Sequence, residues 1–162
     1  IPAARWAVLA GNFMDAQTGH DLGLLTHLVD VAAVDGCVAT LASTGKPGDK
    51  YPGRPTNQES KIAQFASAFF SDENMPAIMN GACPEGFDAE DKTVARQLKS
   101  LSRTAPIALS MASGLIDSTA STSLAVGLQM ELDQLTDIFS TKDSLEGLSA
   151  LIEGRKPTYT NA

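Results

Sequence analysis

Apolar residues recur every three or four positions through most of the chain, the period of a helix that buries one face. The clearest case is 124–139: Leu124, Leu128, Leu132, Leu135 and Phe139 share a side, and Glu131, Asp133 and Asp137 lie elsewhere. Closer to the end, Leu145, Leu148, Leu151 and Ile152 repeat the pattern. There Thr141 or Asp143 can cap, and Glu146 favours the positive first turn. Pro157 stops that helix, and Gly154, Arg155 and Lys156 follow its last turn. Upstream, Val94, Leu98 and Leu101 stripe a helix opened by the acidic run Asp88–Asp91, and residues 107–116 form another. Ser118–Ser123 reads as a loop ending in a cap. Ile62, Phe65, Ala66, Phe69 and Phe70 mark a helix before Pro76.

The first third is less regular. Pro2 suits a first helical turn, and Trp6, Leu9 and Ala10 share its face until Gly11-Asn12 ends it. Asp15 can cap a second helix that Gly23 breaks. Leu24–Val31 reads as a short buried strand or extended segment, and Val31–Thr40 is helix-compatible. Residues 43–57 hold prolines and glycines too densely for regular structure and are predicted as a loop. The expectation is a mainly α chain, with an extended helical segment at about 58–101.

Composition narrows the function classes. The chain has 162 residues, 43% hydrophobic and 19% charged, which fits a globular domain or part of one. A net charge of −7 disfavours nucleic acid and anionic lipid as partners. No apolar run reaches the roughly 20 residues that span a bilayer. Cys37 and Cys83 lack metal-type spacing and read as reduced thiols of a cytoplasmic protein. The chain opens on Ile1 inside a helical pattern, so a segment upstream is expected.

Candidate chemistry is sparse. His20 and His27 have no partner at ligand spacing, so no metal site is expected. Gly45-Lys46-Pro47-Gly48 lacks the phosphate-loop pattern, and its proline removes an N–H donor. Glu90-Asp91 and Glu131/Asp133 fall on helix starts or polar faces, where carboxylates stay solvated. Arg155-Lys156 is the one dense basic cluster. It suits either a phosphorylated ligand or compensation of the helix dipole.

Several stretches resemble the enoyl-CoA hydratase/isomerase (crotonase) family. The ending Glu131…Phe139-x-Thr141-x-Asp143-x-x-Glu146-Gly147-x-x-Ala150…Glu153-x-Arg155-Lys156-Pro157 resembles that family's C-terminal signature. Ala105-Pro106-x-Ala108-Leu109 and Ser123-Leu124-x-x-Gly127-Leu128-x-x-Glu131 are similar to segments just before it. Leu9-Ala10-Gly11…Asp15-Ala16…Leu22-Gly23-Leu24-Leu25…Leu28-Val29 resembles a segment nearer the family's core. The resemblance implies the C-terminal helical part of a crotonase-like α/β fold, a ββα spiral, with the spiral core largely missing. Oxyanion-hole donors and acid–base glutamates would then lie upstream, so no catalytic residue is assigned in this chain and the parent protein carries the enzyme activity.

By the same resemblance, the chain caps an acyl-CoA site and takes part in oligomerisation, as a trimer, a hexamer or the partner of a core-bearing chain. Phe139, Leu151, Arg155 and Lys156 are the positions implied to contact coenzyme A, as the thioester substrate rather than a bound cofactor. Two features depart from the pattern. Leu151 and Gly154 stand where many members carry Phe and Lys, and residues 31–101 are longer than in plain hydratases. The long insert, ending Leu98-x-Ser100-Leu101-Ser102, resembles the 3-hydroxyisobutyryl-CoA hydrolase branch, which keeps a hydrolase as the alternative. A non-catalytic helical oligomerisation module is the other.

Overall fold

The computed structural model describes residues 1–51, 53, 57 and 59–162. Among them the regular structure is helical: α1 (Pro2–Val8), α2 (Ala16–Asp21), a 3-10 turn at Val31–Ala33, α3 (Val34–Thr44), α4 (Lys61–Phe69), α5 (Met75–Met79), α6 (Lys92–Leu101), α7 (Pro106–Thr119), α8 (Leu124–Phe139) and α9 (Lys142–Glu153). No strand occurs among the described residues. No helix among them is long and apolar enough to cross a membrane. The predicted loop at 43–57 takes in residues 52 and 54–56, which lie outside the described residues.

Local chemistry sets most helix starts. The Asp15 carboxylate accepts from Thr18 N–H, which holds its pKa below the ordinary value and caps α2. The Asp91 carboxylate accepts from Thr93 and Val94 N–H and starts α6, so Asp88 and Glu90 precede that helix rather than opening it. Ser123 caps α8 through Val126 N–H, and Thr141 caps α9 through Ser144 N–H. Pro at the first or second position opens α1, α5 and α7.

Three expectations are corrected. Leu24–Val31 forms no strand: it is turn and coil, with Leu24 and Leu25 exposed. A strand needs a neighbouring strand to pair its N–H and C=O groups, and the described residues contain none. α7 runs on through Ser118 and Thr119, whose hydroxyls bond back to carbonyls four residues earlier. Gly154, not Pro157, ends α9. At φ +66° it takes the left-handed conformation, and Arg155 N–H closes onto Ala150 C=O.

The chain divides into two compact units. In the first, Ile1–Asn12 with Ala68–Ala162, α7 packs against α1, α5 and α8, and α8 against α9. Its core holds Trp6, Leu9, Phe69, Phe70, Ile78, Val94, Leu101 and Leu109. Phe69 stacks edge-on against both Phe70 and Phe87, with ring centroids 5.0 Å apart in each case. Arg5 is buried, yet its guanidinium donates to Phe70 C=O at 3.0 Å and pairs with Asp72 at 2.7 Å and Asp117 at 2.6 Å. Burial disfavours its charge, but those carboxylates outweigh the cost and leave its pKa raised. The turn after α1 is tied to α6, since Asn12 donates to Gln97 and Ser100 Oγ to Ala10 C=O.

The second unit, Phe13–Ser67, holds α2, α3 and most of α4. Tyr51 is buried there, its hydroxyl against Gly36 of α3 so closely that a Cβ would stand 2.6 Å from it. The sequence puts Val31, Val34, Cys37 (or Val38) and Leu41 on one face; Val31 falls in the 3-10 turn before α3, Cys37 is half-buried, and Val31, Val34, Val38 and Leu41 are exposed. The same holds in the first unit for Leu124, Leu128, Leu132 and Leu135 of α8 and for Leu145, Leu148, Leu151 and Ile152 of α9.

Candidate functional site: paired clefts beside the last helix

Beyond Gly154 the chain turns back along α9. Two α9 carboxylates hold it. Glu146 receives both terminal nitrogens of Arg155, at 2.5 and 2.8 Å, and Thr158 N–H at 2.7 Å. Asp143, 2% exposed, receives Thr160 N–H at 2.7 Å and Asn161 N–H at 2.8 Å. Asp143 N–H in turn donates to Ala162 C=O. Glu153 takes the remaining guanidinium edge of Arg155 at 2.5 Å. Tyr159 lies across Gly147, where a Cβ would stand 3.3 Å from its hydroxyl, a contact that a larger residue would crowd.

This fold-back shapes two adjoining clefts. One, about 480 Å³, is lined by Ser102, Arg103, Arg155, Lys156, Pro157 and Tyr159. The other, about 380 Å³, lies between α7 and α9, and Ala105, Ile107, Ile138, Phe139 and Leu148 supply its apolar lining. Arg103 and Tyr159 belong to both linings and so form the shared wall. The first cleft is therefore basic; in the second, the apolar side chains share the lining with Arg103, Thr104, Thr141, Asp143 and Ser144.

The residues singled out from the sequence divide between these places. Arg155 and Lys156 line the basic cleft and Phe139 the apolar one. Leu151 lines neither and is 78% exposed on the outer face of α9. Arg155 spends its charge on Glu146 and Glu153: hydrogen bonds to both raise its pKa. Arg103 and Lys156 form no ion pair among the described residues, so theirs are the available charges of the cleft. Arg103 and Tyr159 were not legible as site residues: a lone Arg after α6 and a Tyr in a polar tail carry no spacing signal.

The same pairing gives a pH dependence. Hydrogen bonds from Arg155, then from Thr158 N–H, hold the Glu146 carboxyl down to about 2, against an ordinary 4.5. The group's contribution to holding the tail is thus complete above about pH 4.5 and is lost as pH falls towards about 2. Following the Glu146 side-chain carbon by NMR should give a midpoint near 2. A midpoint at the ordinary carboxylate value would show that the Arg155 pairing does not persist in solution.

The family model for enoyl-CoA hydratase/isomerase matches residues 2–162. This chain belongs to that family. A curated relative, probable enoyl-CoA hydratase 2, mitochondrial, of Arabidopsis thaliana, is 35% identical over 78 residues, or 48% of this chain and 26% of the relative. The chain thus spans about a quarter of the length of the curated relative it matches. No solved structure matches it. Membership agrees with the helical architecture, that of the family's C-terminal part, and the described residues contain no strand of a ββα spiral.

Proposed function

We propose that the chain is the helical, site-capping part of an enzyme acting on acyl-CoA thioesters, a hydratase or isomerase, working in the cytoplasm. The observation that carries this reading is the basic cleft of Arg103 and Lys156, which adjoins across Tyr159 a second cleft whose apolar side is at Phe139. Coenzyme A has the matching chemistry, with phosphates at one end and an acyl chain at the other. Arg103 and Lys156 would meet phosphate oxygens by charge-assisted hydrogen bonds. Phe139 would border the less polar part. Arg155, matched by two carboxylates, would organise the cleft rather than meet the ligand.

The hydration or isomerisation chemistry of such enzymes leaves the thioester intact and needs N–H donors aimed at its carbonyl oxygen as that oxygen gains enolate charge. No spiral that would supply them occurs among the described residues, so this part supplies binding and enclosure while a core-bearing segment or chain supplies catalysis. The exposed apolar faces of α8 and α9 suit that role, as surfaces for the core or for further copies in a trimer or hexamer. Incubating the chain alone with crotonyl-CoA should give no hydration above background. Robust turnover would overturn this division of labour.

A further inference from the structure

The chain beyond Gly154 is fastened in an unusual way. Thr158, Thr160, Asn161 and Ala162 are exposed, and Pro157 and Tyr159 are only half-buried, so little apolar burial holds this segment. Its attachment is ionic and polar instead. Glu146 takes Arg155 and Thr158 N–H, and one turn earlier on α9 Asp143 takes Thr160 and Asn161 N–H. Asn161 adopts φ +59°, the left-handed region that Asn enters more readily than most residues. Just before it, two successive N–H groups, those of Thr160 and Asn161, meet one carboxylate, a concave anion nest formed by the tail around a side chain of its own chain. Between the two anchors stands Tyr159, the wall common to both clefts.

We propose that residues 155–162 form a latched strap, held as one unit by Glu146 and Asp143, whose release withdraws Tyr159 and merges the basic and apolar clefts into one groove. The latch depends on charge and the wall on a single aromatic side chain. With the strap closed, the groove is divided; with it open, a ligand with an anionic end and an apolar arm can lie along it. This last step rests on the acyl-CoA reading, whereas the latch itself does not.

Hydrogen exchange of the whole chain tests the latch. Glu146 is half-buried but is no part of the core, and alanine favours a helix, so Glu146→Ala should leave the fold intact. It frees the Arg155 guanidinium from this partner and, of the backbone amides, removes the acceptor of Thr158 alone. If the strap is one unit, the Thr160 and Asn161 amides, held by Asp143, should also exchange at least about tenfold faster. Faster exchange at Thr158 with Thr160 and Asn161 unchanged would overturn the strap. Tyr159→Ala tests the wall, with adenosine 3′,5′-bisphosphate and octanoyl-CoA as probes. The ratio of their affinities should shift at least about fivefold towards octanoyl-CoA; a parallel change in both would overturn Tyr159 as the divider. Failure of the unaltered chain to bind either probe would overturn the acyl-CoA reading, and the exchange pattern would still decide the latch.

Discussion

Replacing Phe69 by alanine is expected to destabilise the chain by about 3–5 kcal/mol and to lower its thermal midpoint by on the order of 10 °C. Phe69 is 0% exposed and stacks edge-on against two other rings. Its loss removes a large apolar side chain from water exclusion and leaves a cavity bordered by Phe70 and Phe87, neither of which can turn into the space without losing its own packing. Phe139→Ala is the internal comparison. The residue type is the same, but Phe139 is 65% exposed, so the change should stay within about 0.5 kcal/mol. Thermal or urea melts of the two variants read the difference directly. Equal destabilisation would contradict the assignment of the core to α4 and the turn after it.

The contrast between those two phenylalanines also shows what a sequence pattern can and cannot carry. Helical period located α8 at Leu124–Phe139 to the residue, Asp15 located the start of α2, and Thr141, one of two caps the sequence offered, starts α9, because both signals are local. Period alone does not say whether an apolar face is covered. The α4 stripe ends in the buried pair Phe69 and Phe70, while the equally regular stripes of α8 and α9 lie open. Leu24–Val31 misled for a related reason: its apolar content fits a strand, but a strand exists only with a pairing neighbour.

The polar contacts were illegible because they join distant positions. Arg5 with Asp117, Asn12 with Gln97, and Asp143 with Thr160 and Asn161 follow from how helices pack and how the tail returns, not from spacing. For the candidate site this mattered most. Basic charge at Arg155-Lys156 was visible in the sequence, and Glu146 was visible as an N-terminal charge. That Glu146 and Arg155 neutralise one another, leaving the cleft to Arg103 and Lys156, depends on the left-handed turn at Gly154 that sends the chain back. The glycine which departs from the family pattern is thus the residue that makes the turn.

The second large effect concerns binding. Arg103 and Lys156 lie at the surface, where a charge contributes less than it would in a dry pocket. Each is expected to supply about 0.5–1 kcal/mol towards a phosphate group, and more salt should weaken both. Removing the two together should therefore lower affinity about tenfold. The fold should be unaffected, since neither side chain is buried and neither takes part in an ion pair among the described residues.

Calorimetric titration of coenzyme A into the unaltered chain and into Arg103→Ala/Lys156→Ala is the most direct test of a site-capping role. The expected result is weak, salt-sensitive binding to the unaltered chain and about tenfold weaker binding to the double variant. Unchanged affinity in the double variant, or no binding by the unaltered chain, would contradict it.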